Sequence, residues 1–221
     1  MARRQAAPLE GVQDAPIRSG AATIGARAGR GNARERILEA AYDLFSRQGI
    51  RAVGIDAIVE QSGVARMTLY RHFPSKEALV LAFLERREER WTRDWLQREV
   101  ERRADDPAEQ LLAIFDVFDA WFQRDDFEGC SFINVLLEIG EPGHPLHLAS
   151  SDYLAKIRGF VEGLATEAGI ADPDGFARQW HILMKGSIVA AGEGDRQAAR
   201  RAREIGALLL QQKTGQTPTG A

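Results

Sequence analysis

Residues Gly54–Leu79, GIDAIVEQSGVARMTLYRHFPSKEAL, constrain this chain more than any other stretch. Ile55, Ile58 and Val59 stand at helical spacing and predict a first short helix, Ile55–Ser62. Gly63 stops it, because a left-handed residue at a helix end carries no steric penalty when it is glycine. Val64 then plugs the angle between two helices. A second helix is expected over Ala65–His72, with Leu69 and Phe73, four apart, on one inward face. Pro74 ends it by pushing the preceding residue out of the α region. Ser75 caps the helix that follows. Two short helices about a tight turn make a helix-turn-helix.

The side chains left outward suit a DNA groove. Thr68 offers a hydroxyl to a base edge or phosphate and a methyl to thymine. Arg66, near the helix start, can pair bidentately with guanine, and Met67 can pack against bases. Tyr70 and His72 are expected on phosphates. Lys76 meets another at the next helix N-terminus, where the dipole favours an anion. Arg71 can touch base or backbone. An ordinary surface role is the lesser, competing reading, for Arg71 and Met67 first.

Charge is distributed in the same sense. Residues 1–80 carry 12 Lys+Arg against 8 Asp+Glu, a net +4, whereas residues 81–221 carry 17 against 24, a net −7. A basic amino-terminal part beside an acidic remainder fits DNA held at one end. A length of 221 residues allows a real core in one or two domains. No run approaches the ~18 apolar residues of a spanning helix, and the start lacks a signal peptide's apolar stretch. Cytoplasm is therefore the expected location. The single Cys130 excludes a disulfide within one chain and shares no metal-ligand spacing with the four histidines. No basic residue stands within three positions of it, so a buried spacer is the better reading than a thiol sensor. No metal and no cofactor are expected.

Residues 1–31, rich in Arg, Ala and Gly, read as a disordered tail whose arginines could follow phosphates or enter a minor groove. Asn32 with Glu35 resembles a capping box. It opens a helix, Ala33–Gln48, whose Ile37, Ala40, Ala41, Leu44 and Phe45 should pack under the helix-turn-helix and complete a DNA-binding domain over 32–80. A long helix then runs from Ser75 to about Arg103, its stretch Glu85–Arg90 reading as a solvated, charge-paired face. Further helices are expected from Asp106–Pro107, over Phe127–Ile139, from Pro145 to about Ala168, from Pro173 to Ala191, and from Asp195 to about Gln212. They form a helical domain over 81–213, followed by a polar tail, 214–221. No strand pattern is found: the fold is all-α, with three helices for DNA and about six more.

The run TLYRHFPSKEAL resembles the most recognisable stretch of the TetR family of transcriptional regulators, and the resemblance covers roughly Ala33–Phe83. Ala65 and Gly54 depart from the family pattern where capping Ser or Thr residues are common. The resemblance implies a ligand cavity among the later helices. Its expected lining is Trp91, Trp95, Phe115, Phe118, Trp121, Phe122 and Tyr153, with Asn134 and Glu138 as polar members. An aromatic stripe that is simply core is the competing reading. The resemblance also implies dimerisation through a four-helix bundle. Phe176, Trp180, Leu183, Ser187 and Ala191 of one helix, and Ala202, Ile205 and Leu209 of the last, recur at the required steps.

The function so implied is a homodimeric, ligand-responsive regulator. It would be a repressor on a palindromic double-stranded operator, released by a small apolar or aromatic effector. A constitutive DNA-binding protein without ligand is the alternative. An all-α enzyme using Glu138, Glu141 and His144 is disfavoured, because those residues lack a nucleophile, a metal-ligand pattern or a phosphate loop.

Overall fold

The computed structural model describes residues 32–214, which form nine helices and no strand among them. The sequence reading of 1–31, and of the tail beyond Thr214, falls outside the described residues. Asn32 caps α1 (Ala33–Gln48), its side chain accepting from the Arg34 amide at 3.2 Å. The reciprocal half of the expected capping box is absent, because Glu35 turns to pair with Arg86.

Helices α2 (Ile55–Ser62) and α3 (Arg66–His72) meet at Gly63, which adopts the left-handed conformation. Ala65 is the extended cap residue rather than the first helical one, and neither it nor Gly54 makes a side-chain cap bond. Leu69 and Phe73 point inward as the spacing required. They join Ile37, Ala41, Phe45 and Ile58 in the headpiece core.

Helix α4 runs without a break through Lys76–Arg87, a π-helical segment Glu88–Gln97, and Arg98–Arg103. The Ser75 hydroxyl caps it by accepting from the Ala78 amide at 3.0 Å. Its first half is laced to α1: Arg90 pairs with Glu39 at 3.0 Å, Arg86 with both Glu35 and Glu39, and Phe83 meets the Tyr42 and Phe45 rings edge-on. The headpiece and this half of α4 therefore pack as one unit.

The stretch Glu85–Arg90 corrects the solvated-face expectation. Arg87 and Glu88 are buried, with Arg87 donating to the Tyr42 hydroxyl at 3.1 Å and to Glu128 at 2.9 Å. A buried guanidinium survives only with such partners. Glu88 meets Arg93 five positions on, a spacing that the wider π-helical turn brings together.

The second domain comprises α5 (Pro107–Phe122), α6 (Ser131–Ile139), α7 (Pro145–Glu167), α8 (Pro173–Gly192) and α9 (Ala198–Thr214). Asp106, His144 and Asp172 cap α5, α7 and α8, each followed by proline in the first turn. Two boundaries differ from expectation. Helix α6 begins at Ser131, not Phe127, because the Phe127 ring is drawn edge-on to Trp121 and Phe122 at 4.9 and 5.1 Å and holds its segment as a loop. Helix α9 begins at Ala198, with Asp195 in the preceding turn.

Candidate nucleic-acid interface

Helix α3 presents its outward residues in a graded way. Met67 is 79% exposed, Arg66 and Arg71 are exposed, and Thr68, Tyr70 and His72 are half-buried along the flanks. An exposed methionine of that degree has no role in the fold of this chain. Lys76 occupies the first turn of α4 beside free backbone amides, and partial burial lowers its pKa despite the attraction of Glu138. All seven residues expected at DNA thus lie in α3 or the adjoining first turn of α4.

One feature of this face escaped the sequence. Arg66 pairs with Asp56 of α2 at 2.7 Å and lies over the Tyr70 ring, and hydrogen bonding to the Tyr70 side chain, then the Asp56 charge, raise its pKa. The guanidinium is thereby held over the outward face of α3 by Asp56 and the Tyr70 ring.

The residues expected in a ligand cavity divide into two groups. Trp91, Trp95, Phe118, Trp121 and Phe122 form one aromatic cluster with neighbouring centroids 5.1–6.1 Å apart. Phe115 borders it, and Tyr153 stacks on Phe132 at 5.2 Å. The space left beside the cluster is only about 10 Å³, walled by Trp91, Phe118, Ile133, Leu154, His181 and Met184 among others. That is no more than one water's worth of room. Trp91 Nε1, on the wall of that space, is buried without a hydrogen-bond partner, as is Thr92 Oγ1 of the same π-helical segment.

Asn134 and Glu138 lie elsewhere, a correction to the expected polar lining. They border an open groove of about 720 Å³ between the end of α1 and α6. Glu138 accepts from the Arg51 amide at 2.8 Å and from the Ile50 amide at 3.3 Å. A Cβ on Gly49 would stand 2.7 Å from the same carboxylate, so the close approach requires glycine, which also takes φ +80° there. A carboxylate fixed on two amides, with His144 spent on capping α7, does not form the acid–base set considered for an enzyme. Cys130 is buried, and burial pushes its thiol pKa up, which agrees with the spacer reading.

The expected dimer seam is also corrected. Phe176 and Trp180 are fully inside the chain, stacked on each other at 5.1 Å, with Trp180 5.2 Å from Phe115. Ser187, Ala191 and Ala202 are buried too, whereas Leu183 and Leu209 are half-buried and Ile205 is exposed. The face left without intrachain partners carries Ile182, Val189, Ile205 and Leu208, each 49–67% exposed. Spacings of three and four cannot distinguish a stripe that faces α5 from one that faces out.

A helix-turn-helix headpiece on a larger helical domain defines a DNA-binding transcriptional regulator. The sequence profile for "Bacterial regulatory proteins, tetR family" matches residues 37–83. The HTH-type transcriptional regulator LmrA of Bacillus subtilis is 32% identical over 150 residues, 62% of this chain and 79% of the relative. YjdC of Escherichia coli is 27% identical over 159 residues, 70% and 81% respectively. A TetR-family regulator from Streptomyces coelicolor superposes with a TM-score of 0.76 at 28% identity, covering 83% of this chain and 91% of its own. The chain belongs to the TetR family of bacterial transcriptional regulators, and it is a regulator rather than an enzyme. No helix among the described residues is long and apolar enough to cross a membrane.

Proposed function

We propose that this regulator acts as a homodimeric repressor on a palindromic operator, read by Arg66, Met67, Thr68, Tyr70, Arg71, His72 and Lys76. The exposed apolar strip Ile182, Val189, Ile205 and Leu208 carries the dimer reading. Four large apolar side chains on two neighbouring helices, facing away from their own core, need a cover that a second copy supplies by two-fold symmetry. A single headpiece reads one half-site, and the dimer brings two within reach of successive major grooves.

Release by a small apolar or aromatic effector is proposed at the Trp91–Trp121 cluster. The unpartnered Trp91 Nε1 would give such a ligand a polar contact, and π-helical segments recur at functional sites. The ligand would have to part the cluster, since drug-sized ligands occupy ~300–1,000 Å³. The closed packing favours a second reading, a constitutive DNA-binding dimer. Titrating the protein–operator complex with neutral aromatic compounds, for the parent and Trp121→Ala, tests the two. Release that the variant blunts supports the effector, and no release by any compound supports the constitutive reading.

A further inference from the structure

We propose that the effector taken beside the Trp91–Trp121 cluster is an organic acid, an apolar or aromatic body bearing one carboxylate that Lys185 receives. The location rests on the effector reading above; the charge of the ligand and the residue that selects it are new. Trp91 of α4, Phe118 of α5, Leu154 of α7 and His181, Met184 and Lys185 of α8 wall the space, among others. No aspartate or glutamate lines it, and Lys185 is its one charged side chain.

The positive charge there is unanswered. Half-buried Lys185 has no ion pair among the described residues, and neither has half-buried Arg158 of α7, whose charge also reaches His181. Arg178, earlier on α8, is by contrast held by Asp174 at 2.8 Å. Burial, then the Lys185 and Arg158 charges, push the His181 pKa down to about 4, so its ring stays neutral and offers one N–H donor. A second observation is independent of charge. Trp91, 3% exposed, keeps its Nε1–H on this wall without an acceptor. A buried donor left unsatisfied is a group that a ligand's acceptor can complete. Lysine and tryptophan side chains can only donate, so the space calls for an acceptor, and a carboxylate is acceptor and counter-charge at once. Only Lys185 and Ile133 of the wall are not buried, which puts the cation where the space is nearest solvent. The carboxylate would stay partly hydrated there while the apolar body parts the rings. Room must be made, since about 10 Å³ stands open, and the unbranched Met184 is the wall residue most able to yield.

Phenylpropanoate, phenylpropanol and phenylpropylammonium share one body and differ in charge, and calorimetric titration of the full chain with each is the test. The acid should bind saturably with a Kd of roughly 1 mM or below, about tenfold tighter than the alcohol, and the ammonium should bind weakest. Lys185→Met keeps most of the stem and removes the charge, so it should bring the acid down to the level of the alcohol and leave the alcohol as it was. Lys185→Arg should retain the preference. Lys156→Met, which removes a charge elsewhere on α7, should change nothing. Lys185 lies between Ile182 and Val189 of the proposed seam, so light scattering accompanies each variant. Loss of the preference only together with loss of the dimer would assign Lys185 to assembly and overturn the proposal. Equal binding of acid and alcohol, or a preference that Lys185→Met leaves untouched, would overturn it while the effector reading stands. Saturable binding of none of the three would overturn both.

Discussion

The Glu138 carboxylate accepts the Arg51 amide at 2.8 Å, across 87 residues of sequence, and so fastens α6 to the turn that leads into the helix-turn-helix. Two neighbouring contacts act in the same sense. Glu128, in the loop before α6, holds the buried Arg87 of α4, and His144 Nε2 stands 3.6 Å from Glu77 in the first turn of α4. The second domain is thus joined to the headpiece at two places, along α4 and through the α6 clasp. An element that both sites bias is the physical requirement for coupling between them.

The clasp can be tested by itself. Glu138→Ala removes the acceptor for the Ile50 and Arg51 amides and should lower stability by about 1–2 kcal/mol. Hydrogen exchange at those two amides should accelerate well beyond the change at Leu69. Gly49→Ala should resemble it, since the methyl would crowd the carboxylate from 2.7 Å at a φ of +80°. Unchanged exchange at both amides would remove the clasp from the account.

Close packing of α9 gives a second test. A Cβ on Gly206 would stand 2.9 Å from Trp180 and 3.1 Å from Phe115, both held in the core. Gly206→Ala should therefore destabilise by about 1–3 kcal/mol, despite the better helix propensity of alanine. Gly186, with no such neighbour in its own chain, should tolerate alanine in the folded protomer. Thermal melts of the two variants in parallel decide this.

Acid sensitivity should trace to His181. Burial, then the charges of Lys185 and Arg158, depress its pKa to about 4, from an ordinary value of 6.5. The unfolded chain thus binds a proton between those pH values that the folded chain refuses. Stability attributable to this group is present above pH ~6.5 and is lost as the pH falls towards 4, by up to about 3 kcal/mol. His181→Leu should flatten the melting temperature over that window. An unaltered slope in the variant would assign the acid sensitivity to other groups.

The proposed interface predicts a change of assembly without a change of fold. Leu208 is 67% exposed in the protomer, so Leu208→Arg should leave helicity intact. Placed in a two-fold seam, the same arginine would be buried against its copy and should weaken association about a hundredfold or more. Light scattering should report a protomer-sized particle. Dimers of normal affinity would put the interface on another face.

Much of the fold was legible because its punctuation is local. Asn32, Gly49, Gly63, Ser75, Asp106–Pro107, Gly140, Pro145 and Asp172–Pro173 each act on the nearest turn, and the helices start or stop beside them. The recognition helix was legible for the same reason, with Leu69 inward and its polar residues left over. What escaped depends on distant partners. Nothing near Glu138 announces the amides of Ile50 and Arg51, and nothing near Arg87 announces Tyr42 and Glu128. The π-helical turn escaped too, because it changes which residues face each other without changing their types. Phe176 and Trp180 carry the spacing of a seam although they face α5, because an apolar stripe has the same spacing whichever helix covers it.

Selection of bound sequences from a random duplex library by the full chain tests the central claim most directly. An inverted repeat should be enriched, two half-sites spaced by about one helical turn. Thr68→Ala should relax the preferred bases, while Lys76→Ala should weaken all sequences alike and flatten the salt dependence. Recovery of no preferred sequence, or of a lone half-site bound equally well by the Leu208→Arg protomer, would contradict it.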